Sequence, residues 1–163
     1  MMLLLVLASA AAAAAAPPAP STCTATENGQ MDFWLGDWDA EFQGGKGSNH
    51  ITKSYEGCVI EEHFDGRPGT PLLGHSVSSY SAASKQWHQT WVDNQDGYIP
   101  LAGGPDGKGD FVLTTLPVPG SPRASRMIYT DIKPDSFTWR WQGTTDGKTW
   151  TDSWVIHYTR KKP

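Results

Sequence analysis

Hydrophobic and polar residues alternate in short runs from Met31 onward. In the run over 136–142, Phe137, Trp139 and Trp141 fall on one side of the chain, and polar residues fall on the other. A period of two over several residues is typical of a β-strand that buries one face. No later run carries the period of an amphipathic helix, so the pattern predicts an all-β protein.

Turn signals divide the chain into about ten predicted strands. Four Asp-Gly pairs, which readily adopt the positive φ angles of tight hairpin turns, lie at 65–66, 96–97, 106–107 and 146–147. The 17 glycines and 12 prolines also oppose long helices. The predicted strands span residues 33–42, 48–56, 58–64, 72–80, 86–93, 97–102, 110–116, 125–131, 136–142 and 149–159.

The connections between these strands are short, which favours antiparallel hairpins in an up-and-down order. Such a sheet removes its unpaired edges by closing on itself. We therefore predict an antiparallel up-and-down β-barrel of about ten strands. A β-sandwich is the alternative, because two packed sheets would give the same spacing of strands.

The amino-terminal segment has the composition of a signal peptide. An apolar run at 1–7 is followed by alanines up to Ala16, and small residues suit signal peptidase. The apolar run is shorter than the ~20 residues of a transmembrane helix. We predict a signal peptide at 1–16 with cleavage near Ala16, and a secreted or periplasmic protein without a membrane span. An uncleaved membrane anchor is the alternative.

After the signal peptide, a Pro/Ala/Ser/Thr-rich linker is predicted at 17–30 and a single barrel domain at 31–163. Two cysteines, Cys23 and Cys58, remain in this part of the chain. In an oxidising compartment an even number of cysteines favours a disulfide, which would tie the linker to the barrel. Two free thiols, or a lipid anchor on Cys23, are the alternatives.

The formal net charge of −4 opposes binding to nucleic acid or to an anionic membrane surface, because both need clustered cations. The only basic cluster is at 160–162. We therefore predict that neither nucleic acid nor an anionic membrane surface is a partner. We make no prediction of the oligomeric state.

Several motifs follow one another in a distinctive order: Asp32-Phe-Trp-Leu-Gly-Asp-Trp-Asp39, Gly57-Cys-Val-Ile-Glu-Glu62, Gly74-His-Ser76 with Tyr80, Trp87-His-Gln-Thr-Trp-Val-Asp93, Thr145-Asp-Gly-Lys-Thr-Trp150 and Tyr158-Thr-Arg160. In this order they resemble a family of uncharacterised bacterial secreted proteins, a domain of unknown function. Proteins similar to that family are calycin-like, related in shape to lipocalins and fatty-acid-binding proteins. The resemblance covers nearly all of the chain after the signal peptide, and it implies a fold but no reaction.

The opening motif predicts a plug at one end of the barrel. First strands of the lipocalin type carry a Gly-x-Trp whose indole closes the barrel, and Gly36 and Trp38 match this pattern. Glycine would let the strand bend while the large ring lies across the barrel floor. The resemblance thus implies a plug made of Trp34, Gly36 and Trp38, with ordinary core aromatics as the alternative.

No motif predicts a catalytic centre. Gly74–Ser78 departs from the hydrolase nucleophile motif at its last position, and Thr145–Trp150 matches an Asp-box only once. The adjacent Glu61 and Glu62 point to opposite faces of a strand and cannot act as a pair on one bond. The five histidines show no metal-ligand spacing, so we predict neither a metal site nor a cofactor. A zinc site assembled from several strands and a haem ligand at His157 are the alternatives.

Alternation also predicts which side chains line the barrel interior. The aromatic candidates for ligand contact are Trp91, Trp139, Trp141, Trp154 and Tyr158. Arg126 and Arg140 lie in apolar runs on late strands, where arginines of fatty-acid-binding barrels hold a carboxylate. In the alternative interpretation both arginines face solvent.

We therefore predict an exported barrel that binds a small apolar or amphipathic ligand in its interior. One alternative is a structural or interaction protein of the cell envelope with a filled core, and another is an enzyme of unassigned type. An aromatic-lined cavity would favour binding, and a filled interior would favour the structural role. A cleft that holds a group of strongly shifted pKa would favour the enzyme.

Overall fold

The computed structural model describes residue 23 and residues 25–162. The predicted signal peptide at 1–16, its cleavage site and residues 17–22 of the predicted linker lie outside this part of the chain. Ten strands occupy most of the described residues and confirm the all-β prediction. They are β1 (Gly36–Phe42), β2 (Gly45–Ser54), β3 (Val59–Asp65), β4 (Leu73–Ser81), β5 (Gln86–Asp93), β6 (Tyr98–Pro105), β7 (Phe111–Thr115), β8 (Ala124–Lys133), β9 (Ser136–Thr144) and β10 (Thr151–Arg160).

The strands form one closed antiparallel barrel in which each strand pairs with its neighbours along the chain. β1 also pairs with β10, so the first and last strands close the sheet. A closed sheet has no unpaired edge, and the alternative β-sandwich is therefore wrong. A barrel of eight strands is just wide enough to be filled by its own side chains, and ten strands enclose more space.

The core lies inside the barrel because one side of each strand faces inward. Along β1, Trp38 and Ala40 are buried, whereas Asp37, Asp39 and Glu41 are exposed. The same alternation around the barrel brings the buried apolar side chains into one cluster. Its members are Met31, Trp34, Trp38, Ala40, Ile51, Ile60, Phe64, Trp87, Leu101, Phe111, Leu113, Met127, Tyr129, Phe137, Ile156 and Tyr158.

Short 3₁₀ helices correct two of the predicted strand boundaries. Asp32–Trp34 forms one helix, so β1 begins at Gly36 and not at residue 33. Tyr55–Gly57 forms another, and β2 ends before it instead of continuing to residue 56. Both segments contain aromatic residues of strand-like composition, but the chain has to turn at the end of a barrel strand. Position in the barrel therefore outweighs composition here.

A further 3₁₀ helix, Thr26–Gly29, lies within the predicted linker at 17–30. The predicted disulfide between Cys23 and Cys58 is confirmed, with a Cα–Cα distance of 5.1 Å. Lys53 Nζ also donates to the carbonyl of Asn28 at 3.1 Å, so two links hold this segment against the barrel. A disulfide fits an oxidising compartment such as the periplasm or the cell exterior. Within the described residues, no helix combines the length and apolar character needed to cross a membrane.

Candidate ligand-binding site

The helix Asp32–Trp34 covers one end of the barrel, which we call the closed end. Trp34 and Trp38 are fully buried there, and Trp38 Nε1 donates to the Trp34 carbonyl at 2.8 Å. The ring of Phe33 packs against Tyr129 and Phe137 at centroid distances of 5.6 and 6.1 Å. Aromatic side chains therefore fill the interior at this end.

Arg160 of β10 holds the closed end together. Its guanidinium lies 4.1 Å from the centroid of the Trp38 ring and donates to the carbonyl of Leu35 at 2.7 Å. Gly36 has a φ of +116°, and a side chain at that position would collide with the guanidinium. The three predicted plug residues, Trp34, Gly36 and Trp38, thus lie together, and Arg160 joins them without having been predicted.

An internal cavity of about 170 Å³ lies toward the other end of the barrel, which we call the open end. Lining side chains such as Trp91 and Ile99 are half-buried, so the cavity reaches solvent at this end. A depression of about 580 Å³ beside the β7–β8 and β9–β10 loops is larger, but threonine, serine and glycine make up most of its lining. The cavity is lined by Glu62, Leu72, Trp91, Asp93, Ile99, Leu101, Met127, Tyr129, Trp139, Trp141 and Trp154.

Four tryptophans form much of the cavity wall. The indoles of Trp139 and Trp141 are nearly parallel, with an interplanar angle of 11° and centroids 6.3 Å apart. Trp154 stands at 87° to Trp139, with centroids 5.8 Å apart. On the β5 side, the Trp91 indole lies against the backbone of Gly74, where a Cβ atom would collide with it. The absence of a side chain at Gly74 therefore makes room for this wall.

Glu62 reaches the cavity from β3 and is only 6% exposed. Asn49 Nδ2 donates to its Oε1 at 2.7 Å, and Ser76 Oγ donates to its Oε2 at 2.6 Å. The Asn49 amide also donates to the Tyr158 hydroxyl at 3.4 Å. These four residues form a polar cluster inside an otherwise apolar barrel. Each carboxylate oxygen of Glu62 has one donor and keeps further accepting capacity.

Burial raises the pKa of Glu62 to about 7, although hydrogen bonds from Ser76 and Asn49 lower it. Burial also raises the pKa of Tyr129 and of Tyr158, and the nearby charge of Glu62 raises both further. Glu62 is therefore the member of the polar cluster whose protonation changes near neutral pH.

Asp93 is a second carboxyl group on the cavity wall, at the open end. Trp91 Nε1 donates to it at 2.7 Å, and the backbone amides of Gln95 and Gly97 donate at 2.8 and 2.9 Å. Partial burial opposes ionisation, but these hydrogen bonds lower the pKa of Asp93. Asp93 is thus ionised at neutral pH and orients the Trp91 ring.

The structure brings four of the predicted ligand-contact residues, Trp91, Trp139, Trp141 and Trp154, to one cavity. Tyr158 is buried but is not part of the lining, and its hydroxyl belongs to the polar cluster. The aromatic wall therefore follows the alternation read from the sequence.

Arg126 and Arg140 lie on the outer face of β8 and β9 and do not line the cavity. Arg126 Nε donates to Gln142 at 2.7 Å, and its guanidinium lies 4.2 Å from the centroid of the Trp150 ring. Arg140 forms an ion pair with Asp152 at 2.6 Å. The expected role of both arginines as carboxylate ligands inside the barrel does not fit this placement, because alternation turns them outward.

Three histidines form a row on the outer face of the barrel. His50, His63 and His75 are cross-strand neighbours on β2, β3 and β4, and the rings of the last two are 4.5 Å apart. His157, the alternative haem ligand, is exposed on the outer face, with Nδ1 at 3.3 Å from Thr138 Oγ1. In the described part of the chain, no group of three or more His, Cys, Asp or Glu residues is arranged to hold a metal ion.

Apart from Tyr158, the polar cluster was missed in the sequence. Alternation places Glu61 and Glu62 on opposite faces of β3, and the flanking Ile60 and Phe64 identify Glu62 as the inward one. A carboxylate between two apolar residues of the same face is the signal that could have revealed it. Asn49 and Ser76 offered no such signal, because small polar residues occur on both faces of barrel strands.

No protein-family model matches the chain, and no curated protein matches it. The resemblance to a bacterial secreted family therefore stays a prediction. The closed ten-stranded barrel is consistent with the calycin-like fold that the resemblance implies. The interpretation of the cavity consequently depends on its own geometry.

Proposed function

We propose that the barrel binds a small apolar or amphipathic molecule in the cavity at its open end. The observation that carries this proposal is an aromatic-lined cavity of about 170 Å³ with the carboxyl group of Glu62 on its inner wall. Ligand sites commonly combine an apolar lining with a few polar groups that orient the ligand. Because aromatic side chains fill the closed end, entry is from the open end.

The volume of the cavity limits the size of the ligand. A cavity of about 150 Å³ is enough to hold benzene. Sites for drug-sized ligands span roughly 300–1,000 Å³. A sterol or haem would need the barrel to widen, whereas a molecule with one ring or a few carbon atoms fits without rearrangement.

Tryptophan fluorescence tests the proposal, since four indoles line the cavity. A panel of single-ring compounds and short-chain alcohols is titrated into the protein, and at least one class should change the emission in a saturable way. The same compound should raise the melting temperature, because occupancy at a hundred times the Kd adds about 2.7 kcal/mol. Absence of both signals for every compound would favour the structural alternative.

A matched pair of variants locates the binding site. Ile99 lines the cavity from β6, so Ile99→Trp should fill it and abolish the fluorescence response. Val92 is 41% exposed on the outer face of β5, so Val92→Trp adds the same ring outside and should leave binding unchanged. Equal binding by both variants would place the ligand elsewhere.

Acid–base catalysis in the same cavity is a second candidate, favoured by Glu62. A general acid or base is most effective when its pKa is near the working pH, and the pKa of Glu62 is about 7. The deciding measurement is turnover of a compound that binds. Product formation that is lost in Glu62→Gln would favour an enzyme, and binding without turnover would favour a binding protein.

A further inference from the structure

We infer that the cavity selects small organic cations, with Glu62 as the counter-ion and the tryptophans of its wall as an aromatic cage. This inference rests on the proposed function, because it names the class of ligand that the same cavity takes. Buried arginines would have implied an anionic ligand, whereas we infer a cationic one.

The charges around the cavity favour a cation. Glu62 and Asp93 both belong to its lining, and no lysine, arginine or histidine among the described residues does. Arg126 and Arg140 bind outer-face partners instead. A carboxylate ligand would therefore meet two carboxyl groups and no positive charge, whereas an ammonium group would be attracted by both.

The aromatic wall of the cavity also favours a cation. The face of an indole carries negative potential and attracts a cation within about 6 Å of the ring centre. Trp139 and Trp141 are nearly parallel and Trp154 is perpendicular to Trp139. The indoles that line the cavity therefore have more than one orientation. Aromatic cages, in which several rings surround the cation, bind quaternary ammonium groups.

The polar cluster contains more acceptors than donors. Both oxygens of Glu62 already accept one hydrogen bond each, and Asn49 Oδ1 is a buried acceptor that no donor in the described chain reaches. Burying a positive charge is costly unless it is paired, and the Glu62 carboxylate supplies that pair. A cation in the cavity would balance an acceptor-rich interior.

The pairing requires Glu62 to be ionised. Burial raises the pKa of both neighbouring tyrosines, which stay neutral around pH 7, and Asp93 at the open end is already ionised there. Between about pH 5.5 and pH 8, cation binding should therefore strengthen as Glu62 loses its proton, while binding of a neutral molecule should not. The polar and titratable side chains that face Glu62 are Asn49 of β2, Ser76 of β4, Tyr129 of β8 and Tyr158 of β10.

Three probes of equal size and different charge test the inference. Choline is the cation, 3,3-dimethylbutan-1-ol, with a tert-butyl group in place of trimethylammonium, is the neutral analogue, and 3,3-dimethylbutanoate is the anion. At pH 8 choline should bind the wild-type protein at least about tenfold more tightly than the neutral analogue, and the anion should not bind. On lowering the pH to about 5.5, the advantage of choline should shrink because Glu62 takes up a proton.

Two glutamates on adjacent positions of β3 give a matched pair of variants. Glu62→Gln keeps the size of the side chain and removes the charge, so choline and its neutral analogue should then bind within about threefold of each other. Glu61→Gln changes the same group outside the cavity and should retain the wild-type preference. The pH series on the wild-type protein tests the inference even if Glu62→Gln does not fold.

The outcomes separate this inference from the proposed function. A neutral analogue that binds as tightly as choline at pH 8, or a preference that survives in Glu62→Gln, overturns cation selection and leaves binding in the barrel intact. If choline fails to bind while single-ring compounds bind, cation selection again fails alone. If no compound of either set binds, both proposals fail.

Discussion

At the closed end of the barrel, Trp38 is fully buried and carries the guanidinium of Arg160 at 4.1 Å from its ring. At the open end, Trp139, Trp141 and Trp154 are half-buried and surround a cavity whose described lining contains no cation. The two ends thus use the same residue type in two ways. At the closed end the chain itself supplies the cationic partner of Trp38, and at the cavity the described lining supplies none.

We expect the closed end to determine the stability of the fold and the open end to determine ligand binding. Side chains at the closed end lose contacts on every side when they are truncated, because they are fully packed. Side chains at the open end border empty space and solvent, so their truncation removes fewer contacts. Substitutions at the closed end should therefore lower the free energy of unfolding, and those at the open end should mainly change ligand binding.

The largest effect is expected from one substitution made at both ends. Trp38→Ala should lower the free energy of unfolding by about 3–5 kcal/mol, the range for a buried aromatic residue. Trp141→Ala should lower it by about 1–2 kcal/mol, because the ring is half-buried, and should weaken binding of any compound that responds in the titration. Urea denaturation measures the first effect, and fluorescence titration the second. Equal losses of stability at the two ends would show that the open end is packed as tightly as the closed end.

The disulfide should contribute a similar amount from outside the core. Cys58 precedes β3 at the closed end, and the loop closed with Cys23 spans 35 residues. In the chain-entropy model, a cross-link of this length stabilises by about 3–4 kcal/mol. The double variant Cys23→Ala/Cys58→Ala should lose this amount in urea denaturation and keep its ligand affinity. A loss of affinity would show that the two ends are coupled.

The smallest effect is a pH dependence that originates near the open end. The pKa of Glu62 is about 7 in the folded protein and 4.5 without the fold, so between these values the unfolded chain binds fewer protons. Stability is therefore highest below about pH 4.5 with respect to this group, and it should fall by up to about 3 kcal/mol as the pH rises to 7. Glu62→Gln should remove this fall, and Glu61→Gln should retain it. Parallel pH profiles for wild-type protein and Glu62→Gln would contradict the assignment.

The sequence predicts much of the barrel because alternation and turn chemistry are local signals. Trp139 and Trp141 of β9 line the cavity and Arg140 between them does not, as the alternation predicts. For the arginines, the analogy with fatty-acid-binding barrels and the alternation predicted opposite faces, and Arg140 lies on the outer face that the alternation indicates. The polar cluster joins residues from β2, β3, β4 and β10, and such a meeting depends on register, which no single segment encodes.

The pairing of β1 with β10 has a consequence for the order in which the protein assembles. Every other strand pair joins neighbours along the chain and needs only a short loop, whereas Trp38 faces Arg160 across almost the whole barrel sequence. Closing that long loop costs more entropy than closing a hairpin. It also brings Trp38 of β1 together with the Arg160 guanidinium that lies over its ring. A chain interrupted before β10 would expose two strand edges that can pair with other molecules. Completion of the last strand therefore protects the protein from aggregation as well as creating its cavity.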